Sequence, residues 1–116
     1  MLVKTYGGAV YGVNAAVITI EVNIIQGASF FIVGLPDNAV KESQFRIESA
    51  FKSNDYRMPG RRVIVNMAPA DLKKEGSAYD LPLALGILAA SEQIICPDLD
   101  KYLIMGELSL DGAVKP

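Results

Sequence analysis

Histidine is absent from these 116 residues, and cysteine occurs once. Without histidine the chain can hold no Ser-His-Asp triad, no Cys-His dyad, no HExxH zinc helix and no imidazole general base. Carboxylates, lysines, tyrosines and hydroxyls are the groups left for chemistry. The single Cys96 permits neither an internal disulfide nor a cysteine zinc cluster, which suits a reducing cytosol; beside Pro97 it reads as a small apolar residue.

An excess of positive charge is also missing. Lys and Arg total 11 against 13 Asp and Glu, a formal charge of -2, so any grip on nucleic acid must come from a local patch. No apolar run is long enough to cross a bilayer: Leu81 to Ala90 has the length of a core helix, so no membrane partner is expected. The start, MLVKTYGGAV, lacks the pattern of a signal peptide, and the expectation is a cytoplasmic chain that is mature at Met1. No repeat, low-complexity tract or interdomain linker interrupts the sequence.

What is present is ordinary for a globular domain, with 51% hydrophobic and 21% charged residues. A chain of this length buries roughly two thirds of its unfolded surface, enough for one core. Residues 2–10 and 16–25 are rich in Val, Ile, Thr and Tyr and flank YGVN, which predicts a β-hairpin. Phe30 to Val33 predicts a third strand that stops at Gly34. Pro36 and Asp37 then signal a helix start, Val40, Ile47, Ala50 and Phe51 share one face, and SND marks its stop after about four turns. RRVIVNMAP predicts a fourth, interior strand, and a second helix follows ADLKKEGSAYD and ends near Ser91. KYLIMGELSLDG predicts a fifth strand, with AVKP beginning a segment that the chain does not finish. The fold class is α+β, order β-β-β-α-β-α-β, a mixed sheet with helices on one face.

Ser77 is the most conspicuous polar residue. As a nucleophile it would need a base, and Lys73 and Lys74 are the only ones nearby, so a Ser-Lys peptidase is one reading. As part of a phosphate cradle it fails on spacing, because KKEGSAYD lacks the G-x-x-x-x-G-K-[ST] pattern. As a helix cap it asks least: Ser77 and Asp80 fit the S-x-x-D/E pattern, or Asp80 caps with Pro82 at the second helical position. Gly7 and Gly8 in YGGAVYG read as a bulge or a close backbone approach. Arg57, Arg61, Arg62, Lys73 and Lys74 flank the fourth strand, either as a phosphate-gripping patch or as solvated edge charges balanced by Asp71 and Glu75. No catalytic residue and no metal ligand set is assigned.

Three segments together resemble a known family: VGLPDNAVKES (33–43), VIVNMAPADLKKEGSAYDLPLALGILAAS (63–91) and IMGELSLDGAVKP (104–116). They look like the N-terminal domain of ComM/YifB proteins, the magnesium-chelatase-like AAA+ ATPases, and the likeness covers essentially the whole chain. It implies the ribosomal protein S5 domain 2-like fold shared with Lon proteases, truncated here, followed in the parent by an AAA+ module that uses ATP and Mg. It further implies that the parent is a hexameric DNA helicase promoting branch migration in natural transformation, with DNA, the AAA+ module and neighbouring subunits as partners.

Alignment with the G-P-S-A-G around the Lon nucleophile puts Gly76 on the glycine, Ser77 on the proline and Ala78 on the catalytic serine. GELSLDGAVKP resembles Lon's GEISLRG-x-V-L-P, whose lysine lies beyond the position of Pro116. The P-loop, acidic metal-binding motif and arginine fingers of the ATPase also fall outside these residues. The resemblance thus implies a noncatalytic domain without cofactors of its own. Its role is either weak, sequence-independent DNA contact through Arg61, Arg62, Lys73 and Lys74, or pure assembly and regulation as a degenerate Lon-type domain.

Overall fold

The computed structural model describes residues 1–11 and 13–115. Strand β1 (Leu2–Tyr11) and strand β2 (Asn14–Ile25) form the expected hairpin, antiparallel from Leu2 opposite Asn23 to Tyr11 opposite Asn14. Gly12 of the expected YGVN turn lies outside the described residues. Strand β3 (Phe30–Val33) pairs in parallel with β4 (Arg62–Ala68), which pairs antiparallel with β2 on its other side. The sheet order is β1-β2-β4-β3, so β4 is interior as its β-branched sequence predicts.

Period-two alternation decides which face of the sheet is covered. Ile18, Ile20, Val22 and Ile24 of β2, with Val63, Val65 and Met67 of β4, are buried, while Val17 and the polar Thr19, Glu21, Asn23 and Asn66 lie on the opposite face. The helices pack on the buried side. Helix α3 (Asp80–Ala90) is apolar almost all round and is correspondingly enclosed, lying over β1 and β2. It sits close: a Cβ on Gly86 would lie 2.8 Å from the Val22 side chain.

The single four-turn helix expected after Pro36 is divided into α1 (Asn38–Lys41) and α2 (Ser43–Ser53). The Glu42 carbonyl takes the Phe45 N–H at 3.1 Å, a one-residue tightening that separates two otherwise continuous pieces. Asp37 does start the run, its Oδ1 accepting the Val40 N–H at 2.8 Å.

The fifth strand is the larger departure. Instead of joining the sheet over its length, KYLIMGELSLDG leaves a 3-10 turn (Leu99–Lys101) at its first residue, makes one parallel bridge from Leu103 to Tyr6, and gives only the short β5 (Glu107–Leu108). Strand β5 pairs with β6 (Val114–Lys115) in a separate two-stranded ribbon, so AVKP folds back on its predecessor; Pro116 itself lies outside the described residues. The cause is competition for backbone groups. The start of α3 takes them, with Gly106 N–H donating to the Ala78 carbonyl at 2.7 Å and Leu81 N–H donating to the Gly106 carbonyl at 3.0 Å. Among the described residues no helix is long and apolar enough to cross a membrane.

Candidate functional site

The loop from Pro69 to Tyr79 carries β4 into α3 and is fastened to the turn after β3. Lys74 N–H donates to the Leu35 carbonyl and Asp37 N–H donates to the Lys74 carbonyl, both at 2.9 Å. Having capped α1 with one carboxylate oxygen, Asp37 accepts the Gly76 N–H with the other at 3.2 Å. Tyr79 closes the base of the loop, its hydroxyl donating to the Gly8 carbonyl at 3.0 Å. Its ring explains Gly7, where a Cβ would lie 3.3 Å from the ring and 2.9 Å from Met105 Sδ. The β1–β2 pairing runs without offset through Gly7 and Gly8, so close approach is found and a bulge is not.

Lys74 overturns one expectation. It is fully buried, and its ammonium donates to the carbonyls of Gly34, at 2.6 Å, and Pro69. Burial pushes its pKa below the ordinary lysine range, with the charge of Asp71 acting in the opposite direction. A side chain so enclosed is a brace between two loops and is not available to a phosphate. Its neighbour Lys73 is exposed and faces Glu75 at 3.6 Å, a pair worth little in solvent.

Nor do the four proposed DNA-binding residues form one patch. Arg62 opens β4, and Lys73 and Lys74 follow its far end, a separation of about 20 Å at roughly 3.3 Å per residue. The Arg62 guanidinium lies over the Phe31 ring, 5.9 Å from its centroid. Arg61 is exposed and shares a hollow of about 320 Å³ with Arg57.

Ser77 and Asp80 are not the side-chain caps of α3. The N-cap is Tyr79, and no side chain caps the helix there. Asp80 is the first helical residue and is fully buried, with its carboxylate gripped in a fork by Arg46: Nε to Oδ2 at 2.6 Å and Nη2 to Oδ1 at 2.9 Å. The same Oδ2 accepts the Leu108 N–H at 3.1 Å, and the bond to Asp80 raises the pKa of Arg46. A carboxylate turned inward to bind a cation from α2 and an amide from β5 cannot also turn back to the helix end. Pro82 is thereby the third helical residue, where a missing N–H still costs no intrahelical bond.

The Ser77 hydroxyl donates to Glu107 Oε1, and Glu107 Oε2 in turn lies 3.8 Å from Lys115 Nζ. These residues line a cleft of about 260 Å³ with Ala78, Met105 and Gly106. A serine–carboxylate–lysine row is therefore present, with neither Lys73 nor Lys74 in it. Arg46 and Glu107 could not be chosen from the sequence, because they meet Asp80 and Ser77 only through packing of segments 34 and 30 residues apart, and Lys115 reaches the row only through its pairing with Glu107 across the β5–β6 ribbon. Local pattern carries no signal of such contacts. Among the described residues no group of His, Cys, Asp or Glu is arranged to hold a metal ion.

Comparison with known proteins fits this arrangement into a family. The family model described as subunit ChlI of Mg-chelatase matches residues 20–116. YifB of Escherichia coli is 48% identical over 108 residues, covering 92% of this chain and 21% of that protein. Competence protein ComM of Haemophilus influenzae is 44% identical over 115 residues, covering 98% of this chain and 23% of that protein. The chain thus spans between a fifth and a quarter of the length of these relatives. Both align across the loop-to-helix junction, and by the extent of these matches the chain belongs to the ChlI-type, magnesium-chelatase-like family that includes ComM and YifB.

Proposed function

We propose that this chain is a noncatalytic assembly domain, of the ribosomal protein S5 domain 2-like fold, within a longer cytoplasmic AAA+ ATPase of the ComM type. In this reading the longer protein binds ATP and Mg in a separate module and drives DNA branch migration as a ring of six subunits. The present domain supplies contacts to its neighbours in the ring. The observation that carries the assembly role is the inward commitment of the junction: Lys74 to two carbonyls, Asp80 to Arg46 and Ser77 to Glu107, while Ala78 stands where Lon places its nucleophile. Groups so engaged brace a structure; none is poised as a free base beside a free nucleophile.

A second reading, DNA contact, is favoured by one observation, the shared hollow of Arg57 and Arg61. Contacts there would be to backbone phosphates, weak and salt-sensitive, as suits movement along DNA of any sequence. The two readings separate on titration of labelled forked and duplex DNA at several salt concentrations. Assembly alone expects no salt-dependent binding by the 116-residue chain. Binding that disappears in Arg57→Glu/Arg61→Glu but survives Lys73→Glu would establish the second. Peptide hydrolysis lost in Ser77→Ala would overturn both in favour of a peptidase.

A further inference from the structure

The arginines of this chain fall into two groups. Arg46 is forked onto Asp80, and Arg62 lies over the Phe31 ring with its Nε 3.4 Å from the Ala28 carbonyl. Arg57 and Arg61 are exposed, and among the described residues neither guanidinium has an ion-pair or hydrogen-bond partner. Both line the same hollow of about 320 Å³.

The end of α3 fixes the base of that hollow. The Gln93 carboxamide accepts the Arg57 N–H at 3.0 Å, donates to the Arg57 carbonyl at 2.7 Å and donates to Ser91 Oγ at 2.9 Å. Ser91 Oγ in turn donates to the Ile87 carbonyl at 2.7 Å, in the last turn of the helix. The backbone beneath Arg57 is thus anchored to a core helix, and the buried Ile24 and Ala90 complete the wall. A side chain on a fixed base loses less freedom on binding than one on a loose loop.

The lining selects an anion, and its extent selects which one. A guanidinium presents a planar fork of donors that matches the oxygens of a phosphate. Two forks in one concavity suit a single oxyanion of about two charges, as a phosphate monoester is at neutral pH. A strand held along its phosphodiesters needs cations in a row. No lysine lines the hollow, and Arg62, the next residue after Arg61, is turned away to the Phe31 ring, so no row leads out of it. Glu92 also borders the hollow, without an ion pair to either arginine among the described residues, and its charge opposes an anion there.

We infer that the Arg57–Arg61 hollow binds a phosphate monoester, the group carried by the phosphorylated end of a nucleic acid strand and by a free nucleotide. This narrows the ligand of the second reading above and rests on that reading for the place of the site.

Two short single strands of one sequence, labelled at the 3′ end and bearing either a 5′-phosphate or a 5′-hydroxyl, are titrated with the 116-residue chain and followed by anisotropy. The expected result is several-fold tighter binding of the phosphorylated strand, displaced by inorganic phosphate. That preference should be lost in Arg57→Glu/Arg61→Glu and much reduced in Arg57→Lys/Arg61→Lys, which keeps the charge and removes the forks. Glu92→Gln should strengthen binding, and Lys73→Glu, outside the hollow, should leave it unchanged. All these positions are exposed, so the variants keep the fold, as circular dichroism will verify. Calorimetry with a nucleoside monophosphate separates the two sources. Affinity equal to that of the phosphorylated strand puts the group on a nucleotide, lower affinity puts it on a strand end, and both support the monoester. Equal binding of the two strands overturns the inference; if that binding is lost in Arg57→Glu/Arg61→Glu, the second reading stands without it. Binding of neither the phosphorylated strand nor the nucleoside monophosphate overturns both and leaves the assembly role.

Discussion

The loop-to-helix junction and the hairpin tip invert the usual relation between polarity and exposure. The junction, Lys73 to Asp80, is dense with charge, yet Lys74 and Asp80 are fully buried and Ser77 is engaged. The tip, Val10 to Val17, has no charge, yet Val10, Val13 and Val17 face solvent. Polar groups turned inward must be paired, so the junction holds β3, β4, α1, α2 and β5 in one arrangement. Apolar groups turned outward add little to the stability of the fold, so that stretch tolerates change. The region that looks like an active site is thus the brace, and the region that looks like a core strand is solvated.

The sharpest way to break this contrast is at Asp80. Asp80→Ala removes the fork on Arg46 and orphans the Leu108 N–H in one step; with Arg46 partly open to water, the loss falls near the lower end of the range for broken buried pairs, about 3 kcal/mol. Denaturant unfolding should show that loss. A change below about 1 kcal/mol would mean that the junction is not a brace.

Lys74 comes next. Lys74→Met leaves two carbonyls without their donor, partly offset by relief of a buried charge, for a net loss of about 1–2 kcal/mol. The pH dependence adds a second check. With its pKa held low by burial, Lys74 in the folded chain gives up its proton before the unfolded chain does, so its contribution to stability rises with pH until about 10.4, the ordinary value of lysine. Tyr79 acts oppositely. Burial raises its pKa, so its contribution is complete below the ordinary value of about 10 and is lost as the pH climbs beyond it. Lys74→Met should therefore steepen the alkaline fall in stability, and Tyr79→Phe should blunt it.

Ser77→Ala is the mildest, about 0.5–1.5 kcal/mol for one hydrogen bond at a partly exposed site. A double-mutant cycle with Glu107→Ala should show the two losses to be largely one interaction, the double variant costing little more than the larger single change. Independent, additive losses would return Ser77 to the role of helix cap.

The comparison also marks how far the sequence reaches. Strands β2, β3 and β4, the buried end of α3 at Ser91 and the cap at Asp37 follow from period, β-branching and a single side-chain rule, all of them local. The fate of 101–112 does not, because its strand-like residues lose their backbone partners to Ala78 and Leu81, a competition that local pattern does not record. The same holds for the site. Ser77 and Asp80 were legible as polar residues at a helix start, but what they bind, Glu107 and Arg46, is 30 and 34 residues away. Lys73 and Lys74 are indistinguishable in sequence, and one is exposed while the other is fully buried, because only Lys74 is zipped by its backbone to Leu35 and Asp37.

Denaturant unfolding of Asp80→Ala beside Val13→Asp tests the central contrast most directly. The expected result is a loss of several kcal/mol at the buried Asp80 and a change within about 0.5 kcal/mol at the solvated Val13. Equal losses at the two sites, or unchanged stability in Asp80→Ala, would contradict it.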